Sequence, residues 1–591
     1  MRQSRWVMKQ VEESMSPQDF SRDLNNLPVE LATSLLLRGI DSISKAKFFF
    51  RAGLSDLHDP YLMKGMQEAV ERIDTALQSG ERIIVYGDYD VDGTTSTAVL
   101  TSFLRTFSGS DSGSRESISF FIPNRHIHGY GLSRAGIDVC AENMATLIVA
   151  LDCGVTSVDE IAYAGEKGID VIVCDHHTPL DELPDAVAVL DPKQSDCPYP
   201  FKELCGCGVT YKLVQALLVR QNRDPEEAEV YLDLVALATA SDIVSVTGEN
   251  RILLREGLIR LRQNSRRGLR FLAMEARTKL SESSSSSILF TIGPRINAAG
   301  RLGEADRAVH LLLSETDEDA ATRAKQLEEV NKKRREIDRE TQQTAFKMAE
   351  RKLTSADLNT LVLYNPEWNV GVIGIVASRL VDRFYRPTIL LTSVNGIVKG
   401  SCRSVNGVSV FEALRDCQDL LTDFGGHTYA AGVTLLEENV PAFTKRFEEA
   451  VSKRIGPELL DPILEVDTEM SLSSLTERFW AVLKQFEPFG PDNKAPVFWA
   501  KNLLLTGRPK AVGHERTHLK FSVIPKFESA KPRDVIGFRM SDKMEMLLTS
   551  KTSGEPIDLL FSVQENTWNG RTTIQLRALD VRLSSSSFPS G

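Results

Sequence analysis

The sequence predicts an α/β multidomain protein that ends in a small β-barrel. Three observations predict it. Short apolar, β-branched runs alternate with helical patterns from about residue 80 to 245. A charged helical stretch free of Gly and Pro begins at Ser314, and after about residue 456 helices give way to short alternating strands. At 591 residues the chain has room for roughly three or four domains, each with its own core.

Four runs read as strands of a parallel sheet with crossover helices: Arg82 to Tyr86, Thr146 to Leu151, Asp170 to Cys174 and Ala186 to Leu190. Residues 108–117, small and polar, read as a surface spacer before a further strand, ISFFIP. Ser283 to Ser287 reads as a flexible loop. The stretch from Ser314 to about Leu353 mixes both charge signs densely, with an acidic start and a basic middle, which predicts a long solvated helix bridging two domains. A second α/β unit follows, with LVLYNPEWNVGVIGIVASRLVDRF from residue 361, the strand-like PTILLTS from 387 and a Gly-punctuated segment ending in FGGHTYAAG. HLKFSVI, DVIGF and RTTIQLRALDVR then read as barrel strands, Asn569-Gly570 as a hairpin turn and the terminal SSSSFPSG as a disordered tail.

Composition narrows the function classes. Hydrophobic residues at 42% and charged residues at 26% are ordinary for a soluble protein, and no apolar run approaches a membrane span. The polar start lacks the apolar core of a secretory signal, so the expected location is the cytoplasm. The eight cysteines are scattered, and Cys205-x-Cys207 lacks zinc-knuckle spacing, so buried free thiols are expected. A net charge of −11 argues against a protein that coats nucleic acid, while leaving room for a local basic groove and for a carboxylate-rich metal centre.

The strongest chemical signal is Gly87-Asp88-Tyr89-Asp90-Val91-Asp92-Gly93, directly after the first strand. In extended chain Asp88, Asp90 and Asp92 share a face, and three crowded carboxylates need cations to offset their repulsion. The competing reading is an acidic turn. Asp152-Cys153-Gly154 and Asp175-His176-His177 also follow strands. Each alone reads more readily as a helix cap or a surface pair, but together they fall at the carboxyl edge of one parallel sheet, where ligands bind. Oxygen ligands mixed with imidazole suit Mn²⁺ or Mg²⁺. Two such ions about 3.5 to 4 Å apart activate water for in-line attack on a phosphodiester. No Walker loop, dinucleotide-binding glycine fingerprint or HExxH helix is present.

GDYDVDG, LDCG and DHH, in that order, resemble the first three motifs of the DHH phosphoesterase superfamily, and Asp242 in ATASDIVS resembles the fourth. The resemblance implies that Asp90, Asp92, Asp152, His176 and Asp242 hold two ions, with Asp152 bridging. It implies that His177 contacts the scissile phosphate and that Asp88 is a nearby carboxylate. Within the superfamily the chain is similar to the RecJ exonuclease family in FIPNRHIHGYGLS, CPYPF, GPRINAAGR, the WxxGVIGIVASRL stretch, GSCRS and FGGHTYAAG. That likeness implies that Arg125, Ser401 and Arg403 hold a terminal 5′ phosphate or nearby backbone and that His427 faces the catalytic cleft. Arg295 and Arg301 become candidates for backbone contacts, Arg301 equally for a cap or salt bridge. The C-terminal β region resembles an oligonucleotide-binding (OB) fold, in which Lys501, Arg508, Lys510, His514, Arg516 and Lys520 interleave with Trp499 and Phe521.

Two positions depart from the family pattern. Trp368-Asn369 stands where Trp-His is common, and PFGPDN replaces PFGxGN at 488–493. The implied organisation is an N-terminal segment (1–50), a DHH phosphoesterase domain (51–265), a connecting region with the long helix (266–355), a DHH-associated substrate-binding domain (356–455), an OB-fold domain (456–585) and a tail (586–591). The implied activity is a 5′-to-3′ exonuclease that degrades single-stranded DNA to 5′-mononucleotides in repair and recombination. Single-stranded DNA is the partner, a helicase and a single-stranded-DNA-binding protein are further ones, no membrane is involved, and a monomer is the default. The rival readings are a phosphodiesterase for short oligonucleotides or cyclic dinucleotides and a non-catalytic single-strand-binding scaffold.

Overall fold

The computed structural model describes residues 4–11, 15–107, 117–124, 127–129, 131–355, 358–456, 461–514, 516–528, 530–568 and 571–584. Most of the 108–117 spacer, Arg125, the Asn569-Gly570 turn and the 586–591 tail lie outside them. The chain divides into two compact units, Gly53–Leu460 and Arg2–Ala52 with Asp461–Gly591.

The first unit begins with a five-stranded parallel sheet, β1 (Ile83–Gly87), β2 (Ile118–Phe121), β3 (Leu147–Leu151), β4 (Asp170–Cys174) and β5 (Ala188–Leu190). The spatial order is β2-β1-β3-β4-β5, so chain direction across the sheet reverses between β1 and β3, where the crevice for a ligand opens. Every residue of β1 and β3 is buried, as expected of strands covered on both faces. The helix after β1, α1 (Val91–Leu104), is buried almost all round, although it carries six Thr and Ser residues. Thr94, Thr95, Ser96 and Thr97 return their hydroxyl protons to carbonyls one turn back, which satisfies them without water. Helices α2 (Gly206–Arg220) and α3 (Leu232–Ser241) pack on α1. All eight cysteines are buried and free.

Ser284 to Ile292, partly expected as loop, is ordered helix: Ser284 caps a short helical turn that runs into one turn of π-helix at Ile288–Ile292 and then α4 (Gly293–Arg301). The serines serve as cap and first turn, a use that composition alone does not distinguish from a loop. The long helix α5 (Asp317–Ser355) packs along α4 and then along α6 (Val370–Phe384). It was expected to be solvated, yet Ala320, Ala324, Leu327, Asn331, Arg334, Asp338, Thr341, Ala345 and Ala349 form a buried stripe. Their spacings of four and three make a helix seam that small and polar side chains hide from any hydrophobic pattern. The polar middle is paired within itself. Asp338 accepts both guanidinium nitrogens of Arg379 from α6 at 2.9 Å, and Arg334 donates to Asn331 at 2.7 Å.

After α5 a mixed sheet forms from β6 (Leu361–Tyr364), β7 (Thr388–Val394), β8 (Ile397–Arg403), β9 (Asp423–Gly426) and β10 (Ala430–Leu435), in the order β9-β10-β8-β7-β6. Only β6 and β7 run parallel.

In the second unit β11 (Phe498–Leu505), β12 (Lys510–Val512), β13 (His518–Pro525), β14 (Arg533–Gly537), β15 (Ile557–Trp568) and β16 (Arg571–Leu583) form one sheet, and β11 also pairs with β13. That pairing closes β11-β15-β16-β14-β13 into a barrel. The N-terminal segment belongs to this unit. Arg5–Met8 pairs in parallel with Ile463–Val466, and Phe20, Leu31 and Leu35 share a core with Phe479, Phe498 and Phe561. Asn493 of the departing PFGPDN loop donates to the carbonyls of Phe486 and Pro488 and accepts from Arg38.

Removing Asp338 leaves two guanidinium groups without their carboxylate in the α5 seam. Asp338→Ala therefore lowers unfolding stability by about 3 kcal/mol in a denaturant titration, the range for breaking a buried pair from one side; an unchanged midpoint contradicts the seam's role.

Candidate metal centre

The candidate metal centre is assembled at the carboxyl ends of β1, β3 and β4 and at the end of α3. After β1 the chain does not stay extended through Asp92, as the sequence reading assumed. Asp90 caps α1, its Oδ1 accepting from the Gly93 amide at 3.1 Å, and Asp92 lies in the helix's first turn. The three aspartates still converge, because the helix start swings their carboxylates to the sheet edge. Asp88, Asp90 and Asp152 offer carboxylate oxygens within 4.8 Å of one another, and the groups Asp92, His176 and Asp242, and Asp152, His176 and His177, bring carboxylate oxygens and imidazole nitrogens equally close. His176 Nε2 stands 3.1 Å from Asp152, 3.7 Å from Asp92 and 3.7 Å from Asp242.

Local backbone choices make this possible. Asp152 has φ +60°, a conformation few residues other than glycine adopt, so the carboxylate leaves the strand end at a strained turn. Helix α2 begins with Gly206, where a Cβ would sit 2.9 Å from that of Asp152. Glycine is thus required for the helix start to approach, and its approach brings the Gly206 and Cys207 amides to Asp92 at 2.6 and 2.7 Å. Helix α4 holds the β1 loop from the other side. Asn297 accepts from the Val91 amide at 3.1 Å, and a Cβ on Gly300 would meet the Tyr89 carbonyl at 2.3 Å. Asn297 and Gly300 lie in GPRINAAGR, a motif that sequence reasoning used only for its arginines; no local pattern signals that its Asn and Gly grip a loop some 200 residues away.

The electrostatics ask for cations. Asp92 and Asp152 are held well above the usual carboxylate range, first by burial and then by their carboxylate neighbours; burial also raises Asp90. Two charge-assisted amide bonds, each worth about 1.5–3 kcal/mol, are not enough to bring Asp92 back down. The Asp242 Oδ2 and His176 Nδ1 atoms are buried and have no hydrogen-bond partner among the described residues. An oxygen-rich set with one imidazole and an unpartnered carboxylate oxygen fits Mn²⁺ or Mg²⁺.

His177 differs from His176. Burial opposes its charge, but Asp175 accepts from its Nδ1 at 2.7 Å and pushes it up to about 9, while Asp175, also taking the His176, His177 and Val155 amides, falls to about 2. His177 is therefore an imidazolium at neutral pH with its ring partly open to solvent, whereas burial lowers His176 to about 4 and leaves it neutral.

A second cluster forms on the first turns of α6. Arg301 donates to the Gly371 carbonyl at 3.0 Å. A Cβ on Gly374 would come within 3.0 Å of Ser401 Oγ and 3.1 Å of Arg403 Nη2, and Arg403 donates to Ser401 Oγ at 3.1 Å. The bare face of Gly371 and Gly374 thus gathers Arg301, Ser401 and Arg403 at a helix N-terminus, an arrangement suited to phosphate. Asn369, the departure from the family's Trp-His, caps this helix by accepting from the Gly371 amide at 2.8 Å. Asn124 donates to the Gly303 carbonyl at 2.8 Å, which sets Asn124 beside the end of α4. His427 is exposed between β9 and β10 and is not among the converging ligand groups of the described residues. Arg295 is buried against Glu328 of α5 at 2.7 Å, so it is a packing residue rather than a free backbone contact.

In the barrel, alternation along β13 points Phe521 into the core it shares with Phe498, whereas Trp499, next to Phe498 on β11, is buried in a separate small cluster with Trp6, Val466 and Leu560. Among the described residues the large rings left outside are Phe527, 76% exposed, and Phe538, 47% exposed beside the His518 ring and the Arg577 guanidinium. Lys510 and Lys520 stand directly opposite on β12 and β13, a like-charged pair that an anion relieves.

Residues 82–239 match the DHH family N-terminal domain, 357–453 the DHHA1 domain and 466–580 the RecJ OB domain. Over 94% of its length the chain is 38% identical to the single-stranded-DNA-specific exonuclease RecJ of Bacillus subtilis, spanning 68% of that protein. The chain belongs to the RecJ family. The Escherichia coli RecJ is 35% identical over 87% of this chain and 89% of its own. The solved structure of Thermus thermophilus RecJ in complex with Mn²⁺ superposes with a TM-score of 0.80 at 30% identity, covering 98% of this chain and 79% of that one. The α/β multidomain architecture with a C-terminal OB domain is therefore the RecJ architecture, and the carboxylate cluster lies within the segment matching the DHH domain, apart from Asp242 just beyond it. Among the described residues no helix is long and apolar enough to cross a membrane.

If the cluster binds divalent cations, Mn²⁺ at a hundredfold excess over its Kd stabilises the fold by about 2.7 kcal/mol per site. Asp152→Asn keeps the left-handed backbone, which Asn tolerates, but removes the shared charge, so thermal denaturation should lose most of that Mn²⁺ response. An equal response in wild type and variant rules out Asp152 as a ligand.

Proposed function

We propose that the chain is a single-stranded-DNA-specific 5′-to-3′ exonuclease that releases 5′-mononucleotides by two-metal-ion hydrolysis, in the cytoplasm and in DNA repair and recombination. The observation that carries the reading is the presence, in one compact unit, of the carboxylate centre and of the Arg301, Ser401 and Arg403 cluster on the first turns of α6, joined through α4.

Asp90, Asp92, Asp152, His176 and Asp242 are the proposed ligands of two Mn²⁺ or Mg²⁺ ions, with Asp152 shared and Asp88 beside them. When bound, such ions activate water and neutralise charge at the phosphorus. His177, kept charged by Asp175, donates to a non-bridging oxygen of the scissile phosphate and stabilises the charge that builds there. Arg403 and Ser401, with the amide end of α6 and with Arg125, receive the 5′-terminal phosphate; Arg301 faces the backbone and His427 the cleft. Holding the end phosphate a fixed distance from the ions sets both the polarity and the one-nucleotide product. The exposed lysines and rings of the barrel suit the departing strand. A helicase and a single-stranded-DNA-binding protein are the partners this activity calls for, and the chain acts as a monomer.

Single-stranded DNA labelled at either end, a matching duplex and a dinucleotide, each with Mn²⁺, test the reading. The 5′ label should appear at once as mononucleotide, the 3′ label last, and the duplex should be spared. Cleavage of the dinucleotide alone would favour a small-substrate phosphodiesterase, and binding without cleavage a scaffold. Arg403→Ala should raise KM on 5′-phosphorylated strands about tenfold or more, the worth of one charge-assisted contact, with the Mn²⁺ response intact. An unchanged KM removes Arg403 from the end-phosphate pocket.

A further inference from the structure

The outermost strand beyond β4, β5, also ends in charged residues, Asp191 and Lys193, which the carboxylate centre does not use. Asp191 is fully buried, and its Oδ1 accepts from the Lys193 amide at 2.7 Å across Pro192, an Asx turn that fixes Lys193 at the strand end. The buried side chain of Gln194 locks the turn by donating to the Val189 carbonyl at 2.8 Å and to the Asp191 carbonyl at 3.2 Å.

The turn carries a cation without a counter-ion. Lys193 is only partly exposed, and among the described residues its ammonium meets no carboxylate and no carbonyl. Asp191, the acid of the same turn, does not neutralise it fully, because burial pushes that carboxyl up to about 7 and its Oδ2 has no hydrogen-bond partner among the described residues. The lysine's charge reaches the carboxylate centre all the same: His176, lowered first by burial, is lowered further by Lys193. An ammonium partly withdrawn from water and left unpaired costs free energy that a bound anion returns.

Position along the sheet edge decides which anion. Arg301, Ser401 and Arg403 are joined to the centre through α4, which grips the β1 loop, and His177 stands past the end of β4. Neighbouring strands lie about 4.8 Å apart, so the end of β5 is about one such step beyond β4, on the flank away from β1. The cations therefore follow one another across the edge as Arg403, His177 and Lys193. We propose that Lys193 holds the backbone phosphate immediately 3′ of the scissile one, on the strand that stays bound when the mononucleotide leaves. The inference rests on the exonuclease reading above and gives the retained strand an anchor of its own, where the α6 cluster serves the departing nucleotide. An anchor one linkage away from the reacting phosphorus acts on binding and leaves the chemical step alone.

Release of the first nucleotide by the full-length chain with Mn²⁺ is measured on a 5′-phosphorylated oligodeoxynucleotide and on the same strand with a neutral methylphosphonate at its second linkage. Equilibrium binding of both strands is measured with Ca²⁺ in place of Mn²⁺. For wild type the neutral linkage should raise KM and Kd about tenfold, the worth of one charge-assisted contact, with kcat unchanged. Lys193→Ala should cause the same rise on the all-phosphate strand and no further rise on the neutral one. It should also lower the slope of log Kd against log salt by about 0.7, as the loss of one single-strand phosphate contact requires, and Lys193→Arg should restore KM, Kd and slope. Wild-type indifference to the second linkage, an unaffected Lys193→Ala, or an equal loss on both strands overturns the anchor. The binding arm reads the contact even if wild type cuts neither strand, an outcome that would sink the exonuclease reading instead.

Discussion

The structure depends on crowded negative charge at the carboxyl edge of one sheet. Asp88, Asp92, Asp152 and Asp175 are each at most 2% exposed, and Asp90 and Asp242 complete the group. Asp175 resolves its charge within the protein, by pairing with His177 and three amides. Asp92 and Asp152 do not, since burial and their neighbours outweigh every protein donor that reaches them. A fold that concentrates carboxylates in this way is metastable as a bare protein and natural as a cation site. The surrounding glycines, the strained backbone of Asp152 and the amide end of α2 all serve to bring those groups closer together.

From that constraint the rest of the first unit follows. The β1 loop must be held while its aspartates repel, and α4 holds it, through Asn297 and the bare Gly300. The same helix ends in Arg301, which reaches the first turn of α6, so one nine-residue helix sets the distance from the carboxylates to the Ser401 and Arg403 cluster. The Arg379 and Asp338 pair fixes α6 against α5 further along. That distance from carboxylates to cluster is built from helices rather than from loops.

The strands, the long helix and the barrel were legible because periodicity and turn chemistry report them directly; the five strands of the first sheet begin and end within a few residues of the apolar runs. The convergence of the three motifs was legible because strand-end aspartates have few other uses in such numbers. What was hidden depends on contacts distant in sequence. The buried seam of α5 looks solvated because Asn331, Arg334 and Asp338 are polar. Asn297 and Gly300 carry no local mark of their role. Three of the four residues assigned to phosphate do gather at α6, and Arg125 lies outside the described residues; the exposed His427 takes no part in the ligand cluster.

The most direct test of the account is electron paramagnetic resonance of the full-length chain titrated with Mn²⁺. Two ions that share Asp152 must lie close enough to couple, so the account predicts that the signal of isolated Mn²⁺ is replaced by that of an exchange-coupled pair as the second equivalent binds, and that Asp152→Asn abolishes the pair. A spectrum of isolated Mn²⁺ alone, at one ion per chain, would contradict it.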